Sequence, residues 1–254
     1  MNQAINAPTA AVLLIGNELL SGRTQDINLS YIARRLQEKG IRVKQARIIP
    51  DNERTIVDSI NELRAQHDYL FTTGGIGPTH DDITADCVAK AFGVELPINE
   101  EAERILNAYF REREIESNKE RLRMARIPVG ASLVDNPVSA APGFRMDNVF
   151  VFAGVPRIMQ AMLDSVLPEL SEGTVMKNRT VTCNLGEGTI AAGLRTLQEQ
   201  YPDVEIGSYP GKMDDQYLLS LVATSLSIER LDEVCSRIEQ LIDQLGGKIT
   251  VKPG

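Results

Sequence analysis

The sequence predicts an α/β protein in two parts. The first is a three-layer, mostly parallel sheet with helices on both faces, and the second is a small ferredoxin-like, KH-like α+β domain. Three observations lead there. Apolar and amphipathic runs alternate from Ala10 to Phe92 as strand, helix, strand, helix, strand, helix. Ala10 to Ile15 is apolar throughout, as a strand covered on both faces would be. From Arg179 onward the order changes to strand, helix, strand, strand, helix, strand, the split-βαβ pattern.

In chain order, the strand Ala10 to Ile15 runs into a glycine-bracketed turn, Gly16-Asn17-Glu18-Leu19-Leu20-Ser21-Gly22. Asn28 to Lys39 places Leu29, Ile32, Ala33 and Leu36 on one helical face, and Gly40 stops it. Ile41 to Ile49 is a second strand, ending at Pro50-Asp51-Asn52. Glu53 to Gln66 carries Ile56, Ile60 and Leu63 at helical spacing. Asp68 to Thr72 is the third strand, and a helix follows from Ala85 to Phe92. Asn99 to Arg113 is a charged helix, and Glu114 to Arg126 reads as a solvated face. Ser132 to Val134 is a short strand. Phe144 to Met146 and Val149 to Ala153 form a hairpin turning at Asp147-Asn148. Gly154-Val155-Pro156 opens a helix with proline at its start, running to Leu167.

Leu170 to Lys177 is a polar linker, which sets the domains at 1–170 and 178–254. Beyond it come a strand, Arg179 to Asn184, and a helix, Glu187 to Gln200. Two strands, Val204 to Ser208 and Tyr217 to Val222, turn through Tyr209-Pro210-Gly211. Glu229 to Leu245 is a long helix and Lys248 to Lys252 a final strand.

Composition narrows the function classes. The chain has 254 residues and a net charge of −8, which disfavours broad contact with a nucleic-acid backbone. No apolar run approaches the roughly 18 residues of a membrane span. Met1 to Thr9 lacks a signal-peptide pattern. The three cysteines, Cys87, Cys183 and Cys235, are far apart and odd in number, which suits a reducing cytoplasm.

Chemistry concentrates in Thr72-Thr73-Gly74-Gly75-Ile76-Gly77-Pro78-Thr79-His80-Asp81-Asp82-Ile83-Thr84. Three glycines in four positions let the backbone take positive φ and come close to a ligand. Thr79 and Asp82 are spaced as a capping box, and free N–H groups at the helix start favour phosphate. Two adjacent carboxylates beside a phosphate repel it unless a divalent cation sits between them. In a parallel sheet ligands lie outside the carboxyl ends of the strands. The loops there, 16–22, 50–52 and 74–82, bring Glu18, Asp51, Asp81 and Asp82 into one crevice. Plainer roles stand beside these: Asp51 can cap the next helix, and Glu18 can be a surface turn residue. His80 sits within the turn and can meet metal or phosphate. Asn118, Lys119 or Arg123 can reach over the site toward phosphate. His67 reads as a surface residue and Cys87 as core. A Walker-type motif and a Gly-x-Gly-x-x-Gly after the first strand are both absent.

The glycine stretch Thr73 to Thr84 resembles the signature of the molybdopterin-binding, MoaB/Mog-like domain, and more closely the N-terminal domain of the CinA-like (competence/damage-inducible) proteins. Gly16-x-Glu18-Leu19-Leu20-x-Gly22, Asp51-Asn52, Asn136-Pro137-Val138, Ala141-Pro142-Gly143-Phe144 and Gly154-Val155-Pro156 fit the same family in the same order. The region 179–252 resembles the small domain that follows in those proteins. Its Ile206-Gly207-Ser208-Tyr209-Pro210 is similar to a stretch of the molybdopterin-binding-like half of eukaryotic FAD synthases. The chain stops where longer CinA proteins continue into an amidase domain.

The resemblance implies a pyrophosphatase dependent on Mg, Mn or Co, splitting ADP-ribose or a dinucleotide such as FAD to give AMP. It also implies self-association into a homo-oligomer. Asp82 and Asp51 fall on the catalytic acids. Gly16, Glu18, Thr73, Gly74, Gly75, Gly77, Pro78 and Thr79 would meet nucleotide or phosphate, with Pro142, Gly143, Gly154 and Pro156 bordering the pocket. Glu18, Asp81 and Asp82 are the expected metal ligands. Ile76 stands where Mog enzymes tend to have threonine, which points away from molybdopterin adenylylation. Molybdopterin as ligand, and a non-catalytic nucleotide sensor, are the other two readings.

Overall fold

The computed structural model describes residues 7–213 and 216–250. The chain divides into two compact units, the first ending at Thr174 and the second beginning at Val175.

In the first unit β1 (Thr9–Ile15), β2 (Arg42–Ile49), β3 (Tyr69–Thr73), β4 (Ser132–Val134), β5 (Gly143–Met146) and β6 (Val149–Phe152) form one sheet in the order β2–β1–β3–β6–β5–β4. The first four of that order run parallel, and β5 and β4 are antiparallel additions at one edge. The helices are α1 (Asn17–Leu20), α2 (Asn28–Glu38), α3 (Glu53–Gln66), α4 (Thr84–Phe92), α5 (Glu100–Glu112), α6 (Lys119–Leu122) and α7 (Pro156–Val166).

Strand alternation builds the three layers. Ala11, Leu13 and Ile15 of β1 face Ile56, Ile60 and Leu63 of α3, with Cys87 of α4 and Leu106 of α5 in the same cluster. Ala10, Val12 and Leu14 face the other way, onto Ile32 and Leu36 of α2 and Met159 and Leu163 of α7. Phe71 and Phe150 stack across β3 and β6 with ring centroids 5.1 Å apart. Because β1 is buried on both sides, it reads as an unbroken apolar run.

Five details depart from expectation. The turn after β1 contains a single helical turn, α1. Asn52, not Asp51, caps α3, its Oδ1 accepting the Thr55 N–H at 3.1 Å. The cap of α4 is Ile83 without a side-chain bond, so Thr79 and Asp82 form a separate turn ahead of the helix. Asn118 caps the short helix α6, accepting the Arg121 N–H at 2.9 Å. The start of the expected linker is docked on the first unit: Leu170 is buried, the Ser171 N–H donates to Tyr69 Oη at 3.0 Å, and the Gly173 N–H to Lys39 O at 2.9 Å.

In the second unit β7 (Lys177–Cys183), β8 (Glu205–Met213) and β9 (Gln216–Ser225) form an antiparallel sheet in the order β7–β9–β8. One face packs on α8 (Glu187–Gln200) and α9 (Ile228–Gln244), with Val181, Leu219 and Leu221 against Ile190, Val234 and Ile238. Tyr209-Pro210-Gly211 lies within β8 and is not the turn; Pro210 is tolerated because β8 is an edge strand. The expected last strand is a single bridge, Ile249 to Cys183, supported by the Thr250 N–H donating to Thr182 O at 2.7 Å. Val251 and Lys252 of that expected strand, like residues 1–6, lie outside the described residues. No helix among the described residues is long and apolar enough to cross a membrane.

Candidate functional site

The parallel strands β2, β1, β3 and β6 all deliver their carboxyl ends to one edge of the sheet, and a cavity of about 590 Å³ opens there. Its floor is the turn after β3. Gly74 and Gly75 take left-handed φ values of 100° and 69°, whereas Gly77 does not. A Cβ on Gly74 would collide with the Ile15 carbonyl, and one on Gly75 with the Thr84 hydroxyl, so both positions require glycine for space as well as conformation. Thr84 closes the turn from below: its hydroxyl donates to Gly74 O at 2.9 Å and its N–H to Gly75 O at 2.9 Å. The Gly74 N–H is spent on Phe152 O at 3.1 Å. Among the described residues, nothing accepts the N–H groups of Gly75, Ile76 and Gly77. These amides, not the start of α4, are the available anion donors at the floor.

Glu18, Asp51, Asp81 and Asp82 all line this cavity, as do Gly16, Pro78, Thr79, Gly154 and Pro156. The carboxylates are held differently. Asp51 Oδ2 accepts the Asn17 N–H at 2.8 Å, tying the loop after β2 to the loop after β1. Asp82 Oδ2 accepts both the N–H and the hydroxyl of Thr79, at 2.8 Å and 2.5 Å. The Oδ1 atoms of Asp51 and Asp82 take no hydrogen bond from the described residues. Asp81 sits below the usual carboxylate range, first through the Thr79 hydroxyl, then its own backbone N–H, then His80. That hydroxyl has one proton to give, and the 2.5 Å geometry gives it to Asp82. His80 is exposed, with Nδ1 4.0 Å from Asp81 Oδ1.

Three expected residues lie off the cavity. Thr73 is buried within β3, paired with Leu14 and Phe152 in the sheet. Gly143 opens β5, where a Cβ would strike the Val151 carbonyl, so its smallness serves strand pairing. Pro142 borders a separate small recess with Gly75, Gly77 and Asp82. His67 is not the expected surface residue: it is half-buried, both ring nitrogens are buried without a hydrogen-bond partner, and its carbonyl accepts Asn148 Nδ2 at 3.0 Å.

Other residues hold the cavity without having been assigned a role. Buried Asn136 accepts the Val138 and Ser139 N–H groups, each at 3.1 Å, and donates to Ala141 O at 2.7 Å. It thereby shapes the loop whose Ser139 and Ala141 line the wall. Asn28 Nδ2 donates to Gly154 O at 2.8 Å, fixing the opposite wall. An asparagine followed by proline signals a turn, but the tertiary partner of Asn28 has no local sequence mark.

A cation suits this donor set in one manner only. The candidate ligands are carboxylates, the oxygen donors that Mg²⁺ and Mn²⁺ take. Among the described residues no three acidic, histidine or cysteine groups come close enough to hold an ion. Glu18, Asp81 and Asp82, the expected metal ligands, therefore do not come together as a three-carboxylate cluster. One or two carboxylates, water and the oxygens of a bound phosphate are the usual shell for Mg²⁺, and this cavity can provide that.

Comparison with known proteins matches the two units to two family models. One described as a probable molybdopterin binding domain matches residues 11–172, and one described as the FAD synthase middle domain matches residues 176–248. A protein of Archaeoglobus fulgidus is 35% identical over 200 residues, covering 78% of this chain and 84% of its own length. A CinA-like protein of Citrifermentans bemidjiense is 41% identical over 166 residues, which is 63% of this chain and 40% of that protein. The crystal structure of CinA from Thermoplasma acidophilum, described as having unknown function, matches with a TM-score of 0.59 and 31% identity, covering 65% of this chain and 98% of that one.

Proposed function

The chain belongs to the family of probable molybdopterin binding domains and is CinA-like across that region, and on that basis we propose a divalent-metal-dependent nucleotide pyrophosphatase acting on ADP-ribose or a related dinucleotide such as FAD. One observation carries the reading: four carboxylates from three strand-end loops line a single cavity with the unpaired amides of the glycine turn.

The amides of Gly75, Ile76 and Gly77 bind and orient phosphoryl oxygens. The carboxylates oppose the same anion: like charges 4 Å apart near a protein surface repel by about 4 kcal/mol. Glu18, Asp81 or Asp82 would hold a divalent ion, which when bound would offset that repulsion and supply a Lewis acid for a phosphoryl oxygen. Asp51 and Asp82 line the cavity, each anchored through Oδ2 and with Oδ1 free of hydrogen bonds from the described residues. An Oδ1 carboxylate takes the proton of a water whose oxygen attacks phosphorus. The P–O bond to the bridging oxygen breaks, and the chain releases AMP and a second phosphate product. The room above the floor, about 590 Å³, suits a nucleotide.

AMP release from ADP-ribose with Mg²⁺, Mn²⁺ or Co²⁺, abolished by chelation, is the expected result; no turnover of ADP-ribose or FAD with any of these metals overturns it. The family description favours molybdopterin as a second candidate ligand. Tight molybdopterin binding with inert nucleotides selects that reading, and nucleotide binding without turnover selects a sensor.

A further inference from the structure

Every acid of the large cavity lies on its wall, yet among the described residues that wall holds no lysine, arginine or histidine. Two arginines border a small adjoining recess, lined by Gly75, Gly77, Asp82, Arg123 and Arg126. Arg126 is already engaged with Asp86 through two bonds, at 2.5 Å and 3.1 Å. Arg123 makes no ion pair with any described residue, and its Nη2 reaches only the Asp82 carbonyl at 3.3 Å. Its Nε is buried with no acceptor at all. A buried guanidinium N–H without an acceptor is a costly unsatisfied donor, and a bound acceptor would relieve it. The recess holds about 20 Å³, room for one oxygen-sized group. It shares Gly75, Ile76, Gly77, Asp82 and Met124 with the large cavity, so a ligand oxygen drawn down against the turn is the group within reach.

We infer that Arg123 donates to a phosphoryl oxygen of the ligand seated against the Gly74–Gly77 turn, supplying the positive charge that the acid-lined cavity lacks. The inference rests on the proposed nucleotide reading. It selects Arg123 over two neighbours: Asn118 spends its side chain capping α6, and Lys119 borders only the adjoining groove with Ile98 and Leu122, whereas Arg123 borders both that groove and the recess.

Calorimetric binding of ADP-ribose, AMP and adenosine to the wild-type chain, Arg123→Gln and Arg123→Lys tests it. Arg123→Gln is expected to weaken ADP-ribose and AMP roughly tenfold to a hundredfold, the worth of one charged hydrogen bond, with adenosine unchanged. Arg123→Lys, which keeps the charge without the fork, recovers part of the loss. Equal weakening of adenosine means that Arg123 only props up the turn, and overturns the inference. Unchanged binding of all three ligands means that the recess holds an ordered water only, and overturns it too. A wild-type chain that binds these nucleotides but hydrolyses none sinks the pyrophosphatase reading while leaving this comparison intact.

Discussion

Asp51 and Asn17 lie 34 residues apart, and the carboxylate of one accepts the backbone N–H of the other at 2.8 Å. The bond ties the loops that follow β2 and β1, and it uses Oδ2 while leaving Oδ1 without a hydrogen bond from the described residues. Structure and chemistry at this position are therefore separable. Asp51→Asn keeps an oxygen acceptor for Asn17 and should melt near the wild-type temperature, yet lose roughly 100-fold or more in turnover. Asp51→Ala should lose both turnover and stability. Paired melting curves and AMP-release rates check this; full activity in Asp51→Asn contradicts a role for its charge.

Thr84→Val removes the hydroxyl that donates to Gly74 O and leaves that buried carbonyl one partner short. A buried acceptor left without its donor costs about 1–3 kcal/mol. The expected outcome is a lower denaturant midpoint for the first unit and weaker nucleotide binding, because the turn is the cavity floor. An unshifted midpoint contradicts the assignment.

Asp68 joins the start of β3 to the start of β1, its Oδ2 accepting the N–H and hydroxyl of Thr9 at 2.7 Å and 2.9 Å. Those two bonds hold its pKa below the usual carboxylate value. A depressed carboxylate contributes stability above its unfolded pKa of about 3.9 and loses it as pH falls through the folded value. Asp68→Asn should accordingly be less stable than wild type near neutral pH, and the gap should close below about pH 4. Melting temperatures of both proteins across that range are the check; a constant gap contradicts the linkage.

Cys87 is buried in the first core, and burial, ahead of Glu53 and Asp86, pushes its thiol up to about 12. The reactive form is the thiolate. At about pH 8, where a free thiol is partly ionised, Cys87 should resist alkylation in the folded protein and react once unfolded. Peptide mapping after labelling reads this directly. Rapid native labelling of Cys87 would contradict its place in the core.

Much of the first unit was readable because its signals are local. A strand covered on both faces, such as β1, needs an unbroken apolar run, and Leu13 and Leu14 report to opposite layers by strand geometry alone. Gly74 and Gly75 announce the turn because no other residue fits there. The convergence of Glu18, Asp51 and Asp82 then follows from parallel topology, which sends the loops to one edge. What was not readable depends on long-range partners. Thr79 and Asp82 have capping-box spacing, but Thr84 binds back to Gly75 and opens the helix itself, with no side-chain cap from either. Tyr209-Pro210-Gly211 has turn composition, yet pairing with β9 extends it as an edge strand. Leu170 looks like part of a linker until the first core buries it. Gly143 belongs to a family motif, and only the Val151 carbonyl beside it shows that it serves packing.

The central claim is that this cavity hydrolyses a pyrophosphate bond with its carboxylates. The most direct measurement is AMP release from ADP-ribose by the wild-type chain and by Asp82→Asn, each with Mn²⁺ or Mg²⁺ and with a chelator. The account predicts metal-dependent AMP in the wild type and a loss of roughly 100-fold or more in Asp82→Asn. AMP release that persists undiminished in Asp82→Asn, or that never occurs in the wild type, contradicts it.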